Sequence, residues 1–332
     1  MKYIEEFVIL GQQLPEFLEK NDPVLTSVIN KAIGDNPWFA KESIRESIQN
    51  ICKKMLSREK LYEWAKMYDY PELSQKNVLV IMAGNIPMVG FFDMLCVLAS
   101  GHNCIVKLSS KDYRLMDFTI DQLQKINPAI PISSFSNNLH IDSVIATGSS
   151  NTNRYFKYMY GNIKHIFRKS RYSIAVITGK ETPEQIGMLQ KDILSYYGMG
   201  CRNVCCILIP EDYDINKLNH ATAIPEHHKY RSRLKLHKSI LKMNKTDFYD
   251  FGSYTLTPYS DGEPGNLPDI KYMRYNHMDE VNKFIDKNRE NIQCIVSDIK
   301  LTRDTVNYGT AQEPELLDYP DGIDLIDFLS KL

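Results

Sequence analysis

The sequence predicts an α/β fold: parallel sheets covered by helices, preceded by a helical N-terminal region. Three observations lead there. Apolar residues recur at helical spacing through residues 1–70. From Val78 onward short continuous apolar runs appear, as in strands buried on both faces. Helical patterns separate several of these runs, as connections between parallel strands require.

Taken in order, Leu10, Leu14, Phe17 and Leu18 mark one helical stripe, and Ile44, Ile48, Ile51 and Met55 mark a second. Val78-Leu79-Val80-Ile81-Met82 is the first strand, and Ala83-Gly84-Asn85-Ile86-Pro87 breaks it. Residues 91–99 read as a buried helix that Gly101 ends, followed by the strand Cys104-Ile105-Val106-Lys107-Leu108. Ser143-Val144-Ile145-Ala146-Thr147 is a third strand, closed by Gly148-Ser149-Ser150 and followed by a helical stretch over 152–160. Strands are expected at 164–167 and 173–178, a helix at 183–197 and a strand at 204–209. The stretch 211–260 is more polar. Its basic segment, 227–245, is interrupted by aromatics and reads as a solvated face rather than a nucleic-acid site, with His227 and His228 as surface residues. Residues 261–266 form a loop and 292–296 a late strand; the tail from Asn307 ends in an acidic, amphipathic segment.

A chain of 332 residues suffices for two domains or one large unit, and its 43% hydrophobic and 24% charged residues are those of a soluble globular protein. The net charge of −1 supplies no global field toward nucleic acid or an anionic membrane. The opening Met1-Lys2-Tyr3-Ile4-Glu5-Glu6 lacks the basic start and apolar run of a signal peptide, and no stretch approaches the ~20 apolar residues of a membrane span, so a cytoplasmic protein is expected. The cysteines fall at 52, 96, 104, 201, 205, 206 and 294, with no paired Cys-x-x-Cys set, so no metal site is expected and the thiols are expected to be reduced. Cys96, Cys104, Cys205, Cys206 and Cys294 lie in apolar runs, where cysteine is a small core residue.

Cys201 differs. It sits in Tyr196-Tyr197-Gly198-Met199-Gly200-Cys201-Arg202-Asn203, where the glycines leave room for a bound carbonyl to approach the backbone. A thiol so placed is a candidate nucleophile. Three strand ends carry further polar groups. Asn85 could donate to a developing oxyanion. Lys107, with Ser109, Ser110 and Lys111, suits a ribose or phosphate. The N–H groups of Gly148-Ser149-Ser150 precede a helix and could meet a pyrophosphate. The G-x-G-x-x-G fingerprint is absent. Each signal alone has an ordinary reading: a turn asparagine, a surface lysine, a helix cap, a small buried thiol.

In this order the motifs resemble the aldehyde dehydrogenase superfamily, and more closely its LuxC-like acyl-CoA reductase branch. The family's Asn-x-Pro oxyanion element is similar to Asn85-Ile86-Pro87, and the strand ending in its ribose-binding lysine resembles Gly101-His102-Asn103-Cys104-Ile105-Val106-Lys107. Its T-G-S turn is similar to Thr147-Gly148-Ser149, and its nucleophile loop to Gly198-Met199-Gly200-Cys201. Nearer the reductase branch are the stretch from Arg168 to Val176, His227-His228-Lys229-Tyr230, Tyr308-Gly309-Thr310-Ala311-Gln312 and Asp318-Tyr319-Pro320-Asp321-Gly322. The resemblance spans roughly residues 75–330. It implies two Rossmann-like α/β domains: residues 1–172, a helical region plus the NAD(P)-binding domain, and residues 173–332, the catalytic domain with the nucleophile and a tail. It implies Cys201 and Asn85 as catalytic residues and Lys107, Ser109, Ser110, Lys111, Thr147, Gly148 and Ser149 as cofactor contacts. It further implies an acyl-CoA or acyl-carrier substrate, an acyl-transferring partner enzyme and a homo-oligomer.

Two departures sharpen the expected chemistry. Hydrolytic members carry a glutamate, in a Glu-x-Gly-Gly-Lys stretch, that activates water; here Arg168-Lys169-Ser170-Arg171-Tyr172-Ser173 contains no carboxylate. That favours thioester reduction to an aldehyde over oxidation to an acid. Many members also follow the ribose lysine with a glutamate that binds the ribose hydroxyls. Ser110 stands there, beside Lys111, which favours NADPH over NADH. Two alternatives stay open: a reductase of acyl phosphates, and a non-catalytic acyl-carrying or scaffold subunit of a fatty-acid-reductase complex. The presence of Asn85, Lys107, Ser149 and Cys201 together speaks against a scaffold.

Overall fold

The computed structural model describes residues 1–68, 74–148, 150–220, 226–260, 262 and 264–332, with the backbone only at 150 and 151. The chain divides into two compact units, Met1–Ser170 with Glu313–Leu332, and Arg171–Gln312.

The first unit begins with α1 (Ile4–Glu19), α2 (Pro23–Asp35), α3 (Lys41–Lys54) and α4 (Arg58–Lys66). Their starts are written locally: Asp22 accepts the N–H groups of Val24 and Leu25, both at 2.9 Å, ahead of a proline in the first turn of α2. Then come β1 (Asn77–Ile81), α5 (Phe91–Ala99), β2 (Asn103–Lys107), α6 (Tyr113–Ile126), β3 (Ile132–Ser134), β4 (Ser143–Thr147), α7 (Ser150–Tyr160) and β5 (Lys164–Arg168). The sheet is parallel, in the order β3-β2-β1-β4-β5. Every residue of α5 is buried, because the helix lies between the sheet and the N-terminal helices; Phe7 meets Phe91 edge to face, ring centroids 6.2 Å apart.

In the second unit β6 (Tyr172–Val176), α8 (Pro183–Leu194), β7 (Val204–Pro210), α9 (His228–Met243), β8 (Tyr249–Asp250), β9 (Thr255–Pro258), β10 (Asp269–Tyr275), α10 (Met278–Lys287) and β11 (Ile292–Val296) follow. The order is β11-β6-β7-β10-β9-β8, parallel except for β8 against β9. Ile174, Val176, Cys206, Leu208, Val281 and Ile285 form its core.

Two expectations are corrected. The helix expected over 183–197 ends at Leu194, because Tyr196, Tyr197 and Gly198 take φ of 51°, 53° and 73°, a left-handed run no α-helix accommodates. The basic segment 227–245, expected as a solvated face, forms the helix α9, of which only Tyr230 and Leu241 are buried. The tail, expected with the second domain, lies in the first unit from Glu313 onward. It ends in α11 (Leu325–Ser330), whose Leu325, Ile326 and Leu329 join the core of that unit. Tyr319 holds it there, accepting the Trp64 indole N–H at 2.9 Å, while Tyr68 donates to Asp324 at 2.8 Å.

Candidate active site

In the first sheet the strand order reverses between β1 and β4: β2 and β3 extend one side, β4 and β5 the other. Open parallel sheets bind ligands in the crevice outside their carboxyl ends at such a point. Ile81 of β1 is level with Lys107 on one side and Ala146 on the other, so the Asn85 turn, Lys107 and the Thr147-Gly148 turn leave the same sheet edge. The first unit thereby gathers the predicted polar groups that lie among the described residues, Cys201 apart.

Asn85 is exposed at the tip of a turn whose Gly84, Pro87 and Met88 are buried. Asn36, at the end of α2, donates through Nδ2 to the carbonyls of Gly84 at 3.4 Å and Lys111 at 3.2 Å. Ser47 of α3 donates to the Pro87 carbonyl at 2.8 Å, and the Met88 N–H donates to Asp112 Oδ2 at 2.6 Å.

At the end of β2, Lys107 is exposed, its ammonium 5.2 Å above the Phe135 ring, and beyond it Ser110 and Lys111 are exposed too. Ser109 is half-buried; its hydroxyl accepts the Lys111 N–H at 3.3 Å and lies against Gly84, where a Cβ would come within 2.5 Å of it. The nearest carboxylate in sequence, Asp112, is buried and turned toward Met88. The loop therefore presents two cations and a hydroxyl, a donor set that fits an anionic dinucleotide.

At the end of β4, Thr147 pairs in register with Arg168 of β5. The Gly148 N–H was expected to face a phosphate; instead it donates to the Arg168 carbonyl at 3.2 Å, and the Asn153 amide donates to the same oxygen at 2.9 Å. Ser149 lies outside the described residues. The stretch that carries no carboxylate opens with Arg168, whose side chain is buried in an ion pair with Asp93 of α5. Burial opposes its charge, yet the Asp93 carboxylate outweighs it and holds the guanidinium above its ordinary pKa.

Cys201 belongs to the second unit, on the loop that enters β7, and among the described residues it alone of the seven thiols is exposed. Burial pushes the Cys52 and Cys205 thiols up to about 12 and raises Cys96, Cys104 and Cys206 as well, so these stay protonated and inert. The loop is fixed at many points. Asn203 donates through Nδ2 to the carbonyls of Asp192, Ile193 and Ser195, at 3.2, 3.1 and 2.8 Å, and accepts the Gly200 N–H at 2.9 Å. Ser173 donates to the Cys201 carbonyl at 2.9 Å. Arg202, next to the nucleophile in sequence, is turned to the Ala311 carbonyl. Asp192 in turn accepts the N–H groups of Gly309 at 2.7 Å and Ala311 at 2.9 Å.

His228 is exposed, as expected of a surface residue, whereas His227 is half-buried. His227 caps α9, accepting the Tyr230 N–H on Nδ1 at 3.1 Å, and its ring centroid lies 4.3 Å from that of Tyr197 in the left-handed run. Sequence reasoning missed Asn36 and Ser47, which sit in helical stretches without any motif. It also missed Asp112: an aspartate just before a helix reads as its cap, yet no side-chain cap is made there.

No family model and no curated protein matches the chain. Among solved structures it is similar to an aldehyde dehydrogenase from Bacillus cereus in complex with NAD+, with a TM-score of 0.62 and 14% identity, covering 91% of this chain and 72% of that one. The chain has the aldehyde dehydrogenase fold. A second structure with this fold, a putative aldehyde dehydrogenase from Burkholderia cenocepacia, gives a TM-score of 0.64 at 14% identity, covering 91% of this chain and 74% of that one. A third, an engineered glycolyl-CoA reductase with bound NADP+, gives 0.60 at 11% identity, covering 90% and 78%. Among the described residues no helix is long and apolar enough to cross a membrane.

Proposed function

We propose that this chain is an acyl-CoA reductase of the LuxC-like branch, reducing an acyl thioester to the aldehyde through an S-acyl intermediate on Cys201. The observation that carries this reading is an exposed thiol on a rigid glycine-containing loop in a chain whose 168–173 stretch offers no carboxylate to activate water. Arg168, first in that stretch, is engaged with Asp93.

The Cys201 thiolate attacks the thioester carbonyl, and the developing oxyanion takes hydrogen bonds from the Asn85 amide and the Cys201 backbone N–H. Collapse expels coenzyme A, or the thiol of an acyl carrier, and leaves the acyl group on sulfur. With no carboxylate in the 168–173 stretch to activate water, the S-acyl enzyme outlasts hydrolysis. A reduced nicotinamide cofactor, when bound, would supply the hydride that brings the acyl carbon to the aldehyde oxidation level. Breaking the carbon–sulfur bond then releases the aldehyde and restores the Cys201 thiolate.

In this reading the first unit holds the cofactor, through Lys107, Ser109, Ser110, Lys111, Thr147 and Ser149, and the second unit, Arg171–Gln312, carries the nucleophile. NADPH is preferred, because Ser110 and Lys111 are exposed and Asp112 is turned away. A cytoplasmic setting suits a nucleophile that must stay a reduced thiol. A homo-oligomer and an acyl-transferring partner complete the proposal.

The test is NADPH consumption and aldehyde formation with acyl-CoAs of varied chain length, wild type beside Cys201→Ala. Radiolabelled acyl-CoA without cofactor should leave its label on the Cys201 peptide. Equal turnover by the alanine variant, or label on another cysteine, removes the mechanism.

A further inference from the structure

We propose that Asp112, with Ser47 and Asn36, is a positioning residue that fixes the Asn85 turn to the Ser109–Lys111 loop. The inference rests on the proposed role of Asn85 as oxyanion donor and adds how that donor is aimed.

The turn needs external support. Met88 takes φ of 58°, in the left-handed region that a side chain resists, three residues after Asn85. At that residue the backbone N–H donates 2.6 Å to Asp112 Oδ2, and the Met88 carbonyl accepts the Phe91 N–H at 3.0 Å. Pro87, the neighbour, is held through its carbonyl by Ser47. On the far side of Asn85, Gly84 is held through its carbonyl by Asn36, and the same Nδ2 reaches the Lys111 carbonyl. Asn85 therefore stands exposed between anchored residues, and the anchors run into the loop proposed to hold the cofactor.

Asp112 is an unusual anchor. It is 2% exposed, no salt bridge joins it among the described residues, and its Oδ1 has no partner there. Burial lifts its carboxyl well above the usual range, only partly offset by the Met88 N–H. A neutral acid presents the same acceptor as an amide, so asparagine should substitute for it and leucine, of similar shape but without an acceptor, should not.

Misplacing a catalytic group by about 1 Å can cost on the order of 10²-fold in rate. Asp112→Leu should therefore lower kcat by about 10- to 100-fold, leave KM for the acyl thioester nearly unchanged, and speed amide hydrogen exchange across residues 84–88. Asp112→Asn should recover most of kcat and the exchange protection. Ser47→Ala should act in the same direction, more weakly, and carries the test should Asp112→Leu not fold. In an Asn85→Ala background these variants should lose their effect on kcat. An equal loss in that background, or unchanged kcat and exchange in Asp112→Leu and Ser47→Ala, overturns the proposal. Unchanged kcat in Asn85→Ala alone removes the oxyanion reading instead.

Discussion

Arg168 donates through Nη1 to both carboxylate oxygens of Asp93, at 2.7 and 2.6 Å, with both side chains buried in the first unit. Nε and Nη2 of the same guanidinium have no acceptor among the described residues. The pair joins the N-terminal turn of α5, just after the Asn85 turn, to the end of β5, whose Arg168 carbonyl holds Gly148 and Asn153. One residue thus braces two of the loops at the switch point.

Because the guanidinium is already short of acceptors, removing its counterion should be severe. Breaking a buried pair from one side costs about 3–5 kcal/mol. Asp93→Ala should lose roughly that much in urea denaturation, whereas the double variant Asp93→Leu/Arg168→Met, which removes both charges, should recover most of it. A single variant as stable as wild type would show that the pair is not needed.

The regular elements were legible where periodicity and burial agree. Phe91–Ala99, Ser143–Thr147 and Ile292–Val296 match their apolar runs, since a strand or helix buried on all sides writes itself as uninterrupted hydrophobicity. The end of α8 was not legible. Tyr196 and Tyr197 continue the helical pattern in sequence, and the turn they make is set by distant contacts, with Tyr197 packed on His227 and Tyr230 and Asn203 holding the Asp192, Ile193 and Ser195 carbonyls. The placement of Asn85, Lys107 and Thr147 on one sheet edge followed from strand ends alone. Their supports did not, because Asn36, Ser47 and Asp112 act across sequence gaps through side-chain contacts to backbone, which no local pattern records.

Asp112 also predicts a pH dependence of stability. Its folded-state pKa lies above its unfolded value, so the native state binds the proton more tightly. Its contribution is full below about pH 4 and is lost as pH rises toward and through the folded pKa. Asp112→Asn cannot ionise, so its thermal midpoint should gain on that of wild type between pH 5 and pH 8, by an amount that grows with pH. Parallel curves for the two proteins would mean that Asp112 is not buried as a neutral acid.

Gly198 should resist any side chain. Its φ of +73° is strained for alanine, and a Cβ would lie 2.7 Å from Cβ of Leu267. Left-handed backbone alone costs about 1–2 kcal/mol, so Gly198→Ala should destabilise by about 2 kcal/mol or more and slow acylation of Cys201. Urea denaturation and the rate of labelling by acyl-CoA read the two effects separately. An alanine variant with wild-type values in both would show that the loop tolerates another path into β7.

Cofactor preference tests the loop after β2. An exposed cation and hydroxyl beside a ribose favour a 2′-phosphate, while a carboxylate in the same place favours the free hydroxyls of NADH. Ser110→Glu/Lys111→Ala exchanges one set for the other without touching Asp112, whose carboxyl faces Met88. A hydrogen bond to a charged group is worth about 1.5–3 kcal/mol, so NADPH affinity should fall roughly 10- to 100-fold in the double variant. NADH affinity should rise as the new carboxylate finds the ribose. Calorimetric titration of both cofactors measures the ratio directly. If wild type prefers NADH, or the double variant keeps the wild-type ratio, then Ser110 and Lys111 do not read the ribose and the 2′-phosphate must be recognised elsewhere or not at all.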